Sequence, residues 1–311
     1  MIMLATSSAS GARDFSRDSQ TSAVAAGTRM IGPDILRSLA ILLVMLVHLP
    51  LNATPDMLVS VREYGWLGVD IFYVLSGYLI GAQLFKEITR TGAVDFKSFY
   101  LRRAFRIFPA FFVVLALYAL VPVLRDNQTM QPLWKFATFT VNLGFDPREG
   151  NAFSQAWTLA VEEQFYLVLP LLVLLLHKRI SAGWVLGLAG MLTLGGIVLR
   201  YTIWDVQVGS LVADGQFRPA FATYLRDIYY PTYTRLDGLL FGVVLAATRF
   251  FKPALCKQYL PPKVTLPLGV TFIIVALICF VIRGPLAGQG IFPVFQAQLG
   301  AVAGFPLVSI G

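Results

Sequence analysis

Residues 36–51 read LRSLAILLVMLVHLPL. One arginine and one histidine interrupt an otherwise apolar run, and the run reads as a membrane-crossing helix. Arg37 and His48 stand eleven residues apart. That is about three turns of α-helix, so both fall on one stripe, roughly 16 Å apart along the axis. Ionisable groups inside a membrane segment are costly and call for a partner, a cavity or a chemical role. The chain has only two histidines, which makes His48 the first candidate for acid–base chemistry. The competing reading is a core histidine bonded to a neighbouring backbone carbonyl. His177 adjoins Lys178 and Arg179 at the end of another apolar run and reads as a boundary residue.

Seven further apolar runs follow: Trp66–Phe85, Ala104–Leu124, Trp157–Leu176, Gly183–Leu199, Leu236–Phe251, Val264–Ile282 and Ile291–Ile310. Leu133–Phe145 is shorter and reads as re-entrant or interfacial. The chain of 311 residues is 57% hydrophobic and 14% charged, with mean hydropathy +0.69, against about 25% charged residues in soluble domains. The fold class is therefore all-α, a polytopic transmembrane helical bundle of about eight to nine spans. The net charge of +8 sits at the ends of apolar runs, without a basic stripe carrying interleaved aromatics, so a nucleic-acid partner is excluded.

Loop charges set an orientation through the positive-inside rule. Arg13, Arg17, Arg29 and Arg37 place the N-terminus in the cytosol, as do Lys86, Arg90, Lys97, Arg102 and Arg103 for the second loop. The outer segments are then Asn52–Gly65, Arg125–Ala156 and Arg200–Arg235. Their edges carry Trp66, Trp157, Trp204, Tyr229, Tyr230 and Tyr233, which read as an interfacial aromatic belt or as a platform for stacking a sugar ring. Residues 1–30 are rich in Ser, Ala, Thr and Gly and read as a disordered cytosolic tail without a cleaved signal. Cys256 and Cys279 show neither disulfide nor metal-ligand spacing, and no metal is expected.

Four groups of charge remain. Asp70 lies in GWLGVDIFYVLSGYLIG, where an ion pair with Arg235 is one reading. Arg103 and Arg106 share a helix face in FYLRRAFRIFP and present guanidinium forks suited to phosphate. Glu162 and Glu163 are adjacent in WTLAVEEQFYLVLP, about 100° apart, so only one can face a small cavity, and Glu162 is the choice. A carboxylate near a histidine can hold its tautomer and favour the imidazolium.

Five blocks, PDILRSLAILLVMLVH, GWLGVDIFYVLSGYLIG, FYLRRAFRIFPAFF, WTLAVEEQFYLVLP and YTRLDGLLFG, resemble in order those of the acyltransferase-3 family of bacterial membrane O-acyltransferases. The likeness runs from about Asp34 to Gly242. It implies a transmembrane acyltransferase domain over residues 31–311 in the bacterial inner membrane, with acetyl-coenzyme A as acyl donor from the cytosolic side. The implied acceptor is a hydroxyl of a lipid-linked or secreted carbohydrate. The family's Arg-ten-residues-His motif falls on Arg37 and His48, its Arg-x-x-Arg pair on Arg103 and Arg106, its block glutamate on Glu162, and its later arginine on Arg235. Members usually have ten transmembrane helices, and the final helix block has no counterpart in this sequence. The expectation is a domain truncated at its C-terminus, without the soluble domain that some members append.

On this reading His48, Glu162 and Arg37 are catalytic, and Arg103 and Arg106 bind the donor. Asp70, Arg235, Trp157 and Tyr166 bind substrate or hold the structure. His48 acts as general base, or as the nucleophile of an acyl-histidine relay. The alternatives are a transporter or flippase for glycans or organic anions, using the same charges as a clamp, and an inactive truncated member of the family.

Overall fold

The computed structural model describes residues 31–50, 54–125, 129–176, 178–281 and 298–311. The expected tail over residues 1–30, the boundary role of His177 and the first part of the Ile291–Ile310 run lie outside them. The described residues are helical, without strands. Six helices are long and apolar enough to cross a membrane, or seven if one bent pair forms a single span.

The order begins with α1 (Ile31–His48), short α2 (Asp56–Arg62), α3 (Leu67–Thr91) and α4 (Phe96–Leu120). Gly92 ends α3 in the left-handed region at φ 69°, a conformation that glycine adopts without steric cost. Three residues later the Asp95 carboxylate accepts the Ser98 amide and opens α4, so the two helices form a tight hairpin. Lys97, Arg102 and Arg103 therefore lie in the first turns of α4, not in the loop where their charge placed them.

Leu133–Phe145 does not cross. It forms the five-residue α5 (Leu133–Ala137) and a series of turns that bury Phe136, Asn142 and Phe145. Beyond it come α6 (Ala156–Leu176) and α7 (Ala182–Ile203). The run expected to end at Leu199 continues through a π-turn at Trp204–Val208 into α8 (Gly209–Ala213). The segment 200–235 is then mostly helical, with α9 at Phe217–Tyr224 and a second π-turn at Leu225–Tyr229. The remainder is α10 (Asp237–Phe251), α11 (Pro253–Tyr259), α12 (Pro262–Val281) and α13 (Phe305–Ile310). Helix α11 turns away from α10 by 107°.

Small residues let α3 and α10 pack backbone to backbone. A Cβ at Gly77 would collide with the Leu239 carbonyl, and one at Gly242 with the Val74 carbonyl. Gly77 thus meets Gly242, while Gly81 packs on Val243 and Ala246 and Gly238 on Asp70 and Tyr73, a small-xxx-small seam of the kind found in membrane helix pairs. Helix α1 leans on the start of α3 at Gly68, where a Cβ would stand 2.5 Å from the Ala40 carbonyl. Its only buried residue is Ala40. The rest of α1 presents side chains such as Leu42 and Met45 outward, as a lipid-facing helix does.

The belt reading of the aromatic residues is overturned. Trp66, Trp157, Trp204, Tyr229 and Tyr230 are all buried, and Tyr233 alone of the six is exposed. Trp204, Tyr224, Tyr229 and Tyr230 of the 200–235 segment pack in a chain of rings that reaches Trp157. The Trp157 ring lies 5.0 Å from that of Tyr229 and 5.2 Å from that of Tyr230.

Two buried ion pairs join these elements. Arg235 donates to both carboxylate oxygens of Asp70, at 3.0 and 3.2 Å, which is the pair that the sequence raised as one reading. Its guanidinium also lies 3.7 Å from the Phe305 ring centroid. Arg200 pairs with Asp237 at 2.7 Å and donates to the carbonyls of Thr234 and Val302.

Candidate active site

At the C-terminal end of α1, a cavity of about 590 Å³ opens between α1, α3, α6 and the 217–230 segment. His48 and Glu162 both line it, together with Glu63, Tyr73, Trp157 and Tyr229. Residues 114 positions apart in the chain, taken from two different helices, thus share one space.

His48 ends α1, and its Nδ1 lies 2.7 Å from the Val44 carbonyl oxygen. A carbonyl only accepts, so in neutral imidazole Nδ1 carries the proton and Nε2 keeps its lone pair. The bond that a satisfied core histidine would make is present, and it also leaves Nε2 as a base.

Glu162 sits two turns into α6. The Ser76 hydroxyl on α3 donates to its Oε1 at 2.6 Å. Tyr166, one turn further along the same face, adjoins this carboxylate and Ser76. Glu163 does not line the cavity, in keeping with the 100° rotation between neighbouring helical residues. It faces Arg103 instead. Gln164 points to another side and ties the fold down. It donates to the Phe139 carbonyl at 2.7 Å and to Asn142 Oδ1 at 2.9 Å, and it accepts from Thr232.

Arg103 reaches this cluster from α4. Its guanidinium carbon lies 3.3 Å from the Tyr166 ring centroid, a close cation–π contact. Its Nε is buried without a hydrogen-bond partner among the described residues. Arg106 is exposed. The structure therefore separates the two arginines, one on the Glu162 cluster and one at the surface. Arg37 does not line the cavity; it lies 3.5 Å from Asp34, one turn back along α1. Asp70 and Arg235 neutralise each other behind the cavity wall, while Trp157 forms part of that wall and Tyr166 backs the Glu162 carboxylate.

The sequence reading passed over Ser76, Arg200 and the Asn142–Gln164–Thr232 network. Arg200 was open to the argument that singled out His48, since an arginine within an apolar run also needs a partner. Among the described residues no three His, Cys, Asp or Glu side chains converge as metal ligands.

Six or seven membrane-length helices define a multi-pass helical membrane protein, and three of them, α1, α3 and α6, line a cavity that His48 and Glu162 share. The chain belongs to the acyltransferase-3 family: residues 30–295 match its acyltransferase domain. It is similar to a Staphylococcus aureus protein (strain MSSA476, SAS0844) provisionally named an O-acetyltransferase, with 31% identity over 275 residues. That alignment takes in 82% of this chain and 41% of the relative. It is also 27% identical over 255 residues to the O-acetyltransferase OatA of S. aureus strain NCTC 8325, covering 77% of this chain and 38% of OatA. The chain spans about two-fifths of the length of these relatives. No solved structure matches it.

Proposed function

We propose that this chain moves an acetyl or other short acyl group from acyl-coenzyme A to a carbohydrate hydroxyl, in the bacterial inner membrane with its N-terminus in the cytosol. The observation that carries the reading is the single cavity lined by both His48 and Glu162. Family membership and the O-acetyltransferase relatives support the reaction class.

In this reading His48 Nε2 takes the proton of the acceptor hydroxyl as its oxygen attacks the thioester carbonyl. The new C–O bond forms, the C–S bond breaks, and the imidazolium returns the proton to the departing thiolate. Glu162, held by Ser76, orients the acceptor and favours the imidazolium through its charge. Arg103, beside Glu162, and Arg106, exposed three residues further along α4, bind the donor's phosphates, and Arg37 supports the donor end of α1. Trp157 shapes the acceptor wall, and Asp70 with Arg235 keeps that wall in place.

The test is turnover of radiolabelled acetyl-coenzyme A by the purified chain in detergent, beside His48→Ala. Label transfer or release that disappears in the variant is the expected result. A folded sample that neither binds nor turns over the donor overturns the reading for this chain.

A further inference from the structure

Among the described residues, the carboxyl and imidazole side chains lining the cavity are His48, Glu63 and Glu162, and neither Lys nor Arg is among them. This is notable in a chain of net charge +8, because arginines stand close by on several sides. Several of them have partners outside the lining. Arg62, next to Glu63, donates its Nε to the Leu49 carbonyl. Arg148, next to the lining residue Pro147, grips Asp146 through two nitrogens. Arg226 does the same to Asp227, and Arg235 is paired with Asp70. Glu162 has Ser76 as a donor and Arg103 as an electrostatic neighbour. The Glu63 side chain has no hydrogen bond or ion pair among the described residues, and it lines the space in which an acceptor would sit.

The remaining polar groups of the lining include Asn151, Ser154, Gln155 and Thr158, amides and hydroxyls that exchange hydrogen bonds with sugar hydroxyls without preference for charge. Aromatic side chains form much of the rest. An anionic ligand entering such a site would give up its hydration and find no Lys or Arg among the described lining residues, and burying an unpaired charge is costly. It would also meet the Glu63 carboxylate, and a like charge placed against a ligand is an effective means of rejection.

Resting on the acyl-transfer reading, we infer that the acceptor held in this cavity is an uncharged carbohydrate. Glu63 is the side chain that rejects anionic ones, such as uronates and phosphorylated sugars. The same charge pattern keeps the phosphates of the donor out of the acceptor space and leaves them to the Arg103 side of Glu162. It also disfavours a carrier for organic anions.

The charge of the cavity can be read without knowing the acceptor. In a Cys256→Ser, Cys279→Ala background, Ser154→Cys places one thiol in the lining. Its labelling rates with a cationic and an anionic methanethiosulfonate of similar size are each divided by the rate for a free thiol. The cationic-to-anionic ratio is expected to rise about tenfold or more, the low end of the focusing produced by charged clefts. It is expected to fall towards one when Glu63→Gln is added. A normalised ratio of one or below overturns the inference, and a raised ratio unmoved by Glu63→Gln removes Glu63 from it.

Protection of the same thiol by methyl glucoside, compared with methyl glucuronide up to the limit of solubility, tests the ligand class. Stronger protection by the glucoside is expected. Equal or stronger protection by the glucuronide, or protection by neither, overturns the assignment. These readouts do not require turnover. A cation-selective cavity in a chain without His48-dependent transfer would count against the acyl-transfer reading alone.

Discussion

At the scale of the residue, the site depends on which polar groups in apolar helices have partners and which partners they chose. His48 and Glu162 were legible in the sequence because a charge in an apolar run demands an explanation. Ser76 was not, because hydroxyls in such helices usually satisfy themselves on the carbonyl four residues back. Ser38, Thr248, Thr271 and Ser309 all do so here, whereas Ser76 reaches across to Glu162. A hydrogen bond to a charged group is worth about 1.5–3 kcal/mol. Ser76→Ala is thus expected to lower kcat by roughly ten- to a hundredfold, with Ser76→Thr restoring most of the loss. Full activity in Ser76→Ala would show that the contact does not serve the reaction. Arg103→Lys keeps the charge but loses the planar guanidinium stacked on Tyr166. Its expected signature is a raised KM for acetyl-coenzyme A with little change in kcat, and an unchanged KM would take Arg103 out of donor binding.

At the scale of the element, hydropathy located the helices and charge misplaced some of their ends. Arg200 looked like a terminus because it interrupts an apolar run, yet its partners on other elements let the helix continue through it to Ala213. Lys97, Arg102 and Arg103 looked like a loop, although the Asp95 cap had already started α4. The partnership of α3 with α10 was written in the spacing of Gly77 and Gly81 and of Gly238 and Gly242, a signal that needs the two helices to be considered together. Gly242→Leu is expected to force that pair apart, with lost monodisperse yield and a lowered melting temperature in detergent. Gly187→Leu is the control, since a Cβ there meets nothing within 4 Å, and it should behave as wild type. Equal tolerance of both changes would mean that the seam is not a determinant of stability.

At the scale of the whole molecule, the Asp70–Arg235 and Arg200–Asp237 pairs bind α3, α7, the entrance to α10 and the 298–311 segment into one body. Removing one member of a buried pair leaves an unpaired charge, at a cost of about 3–5 kcal/mol. Asp70→Leu alone is therefore expected to destabilise more than Asp70→Leu combined with Arg235→Met, as measured by thermal unfolding in one detergent. A double variant less stable than Asp70→Leu alone would contradict that account. The same bundle holds both α1 and α6 against α3, and the central claim is that His48 and Glu162 act there as a unit on one acyl transfer. The most direct test is a double-mutant cycle on acetyl transfer with His48→Gln and Glu162→Gln, in samples whose melting temperatures match. Groups that act as a unit are strongly non-additive, so the double variant should be scarcely slower than His48→Gln alone. Losses that multiply would show two independent contributions and contradict the shared site.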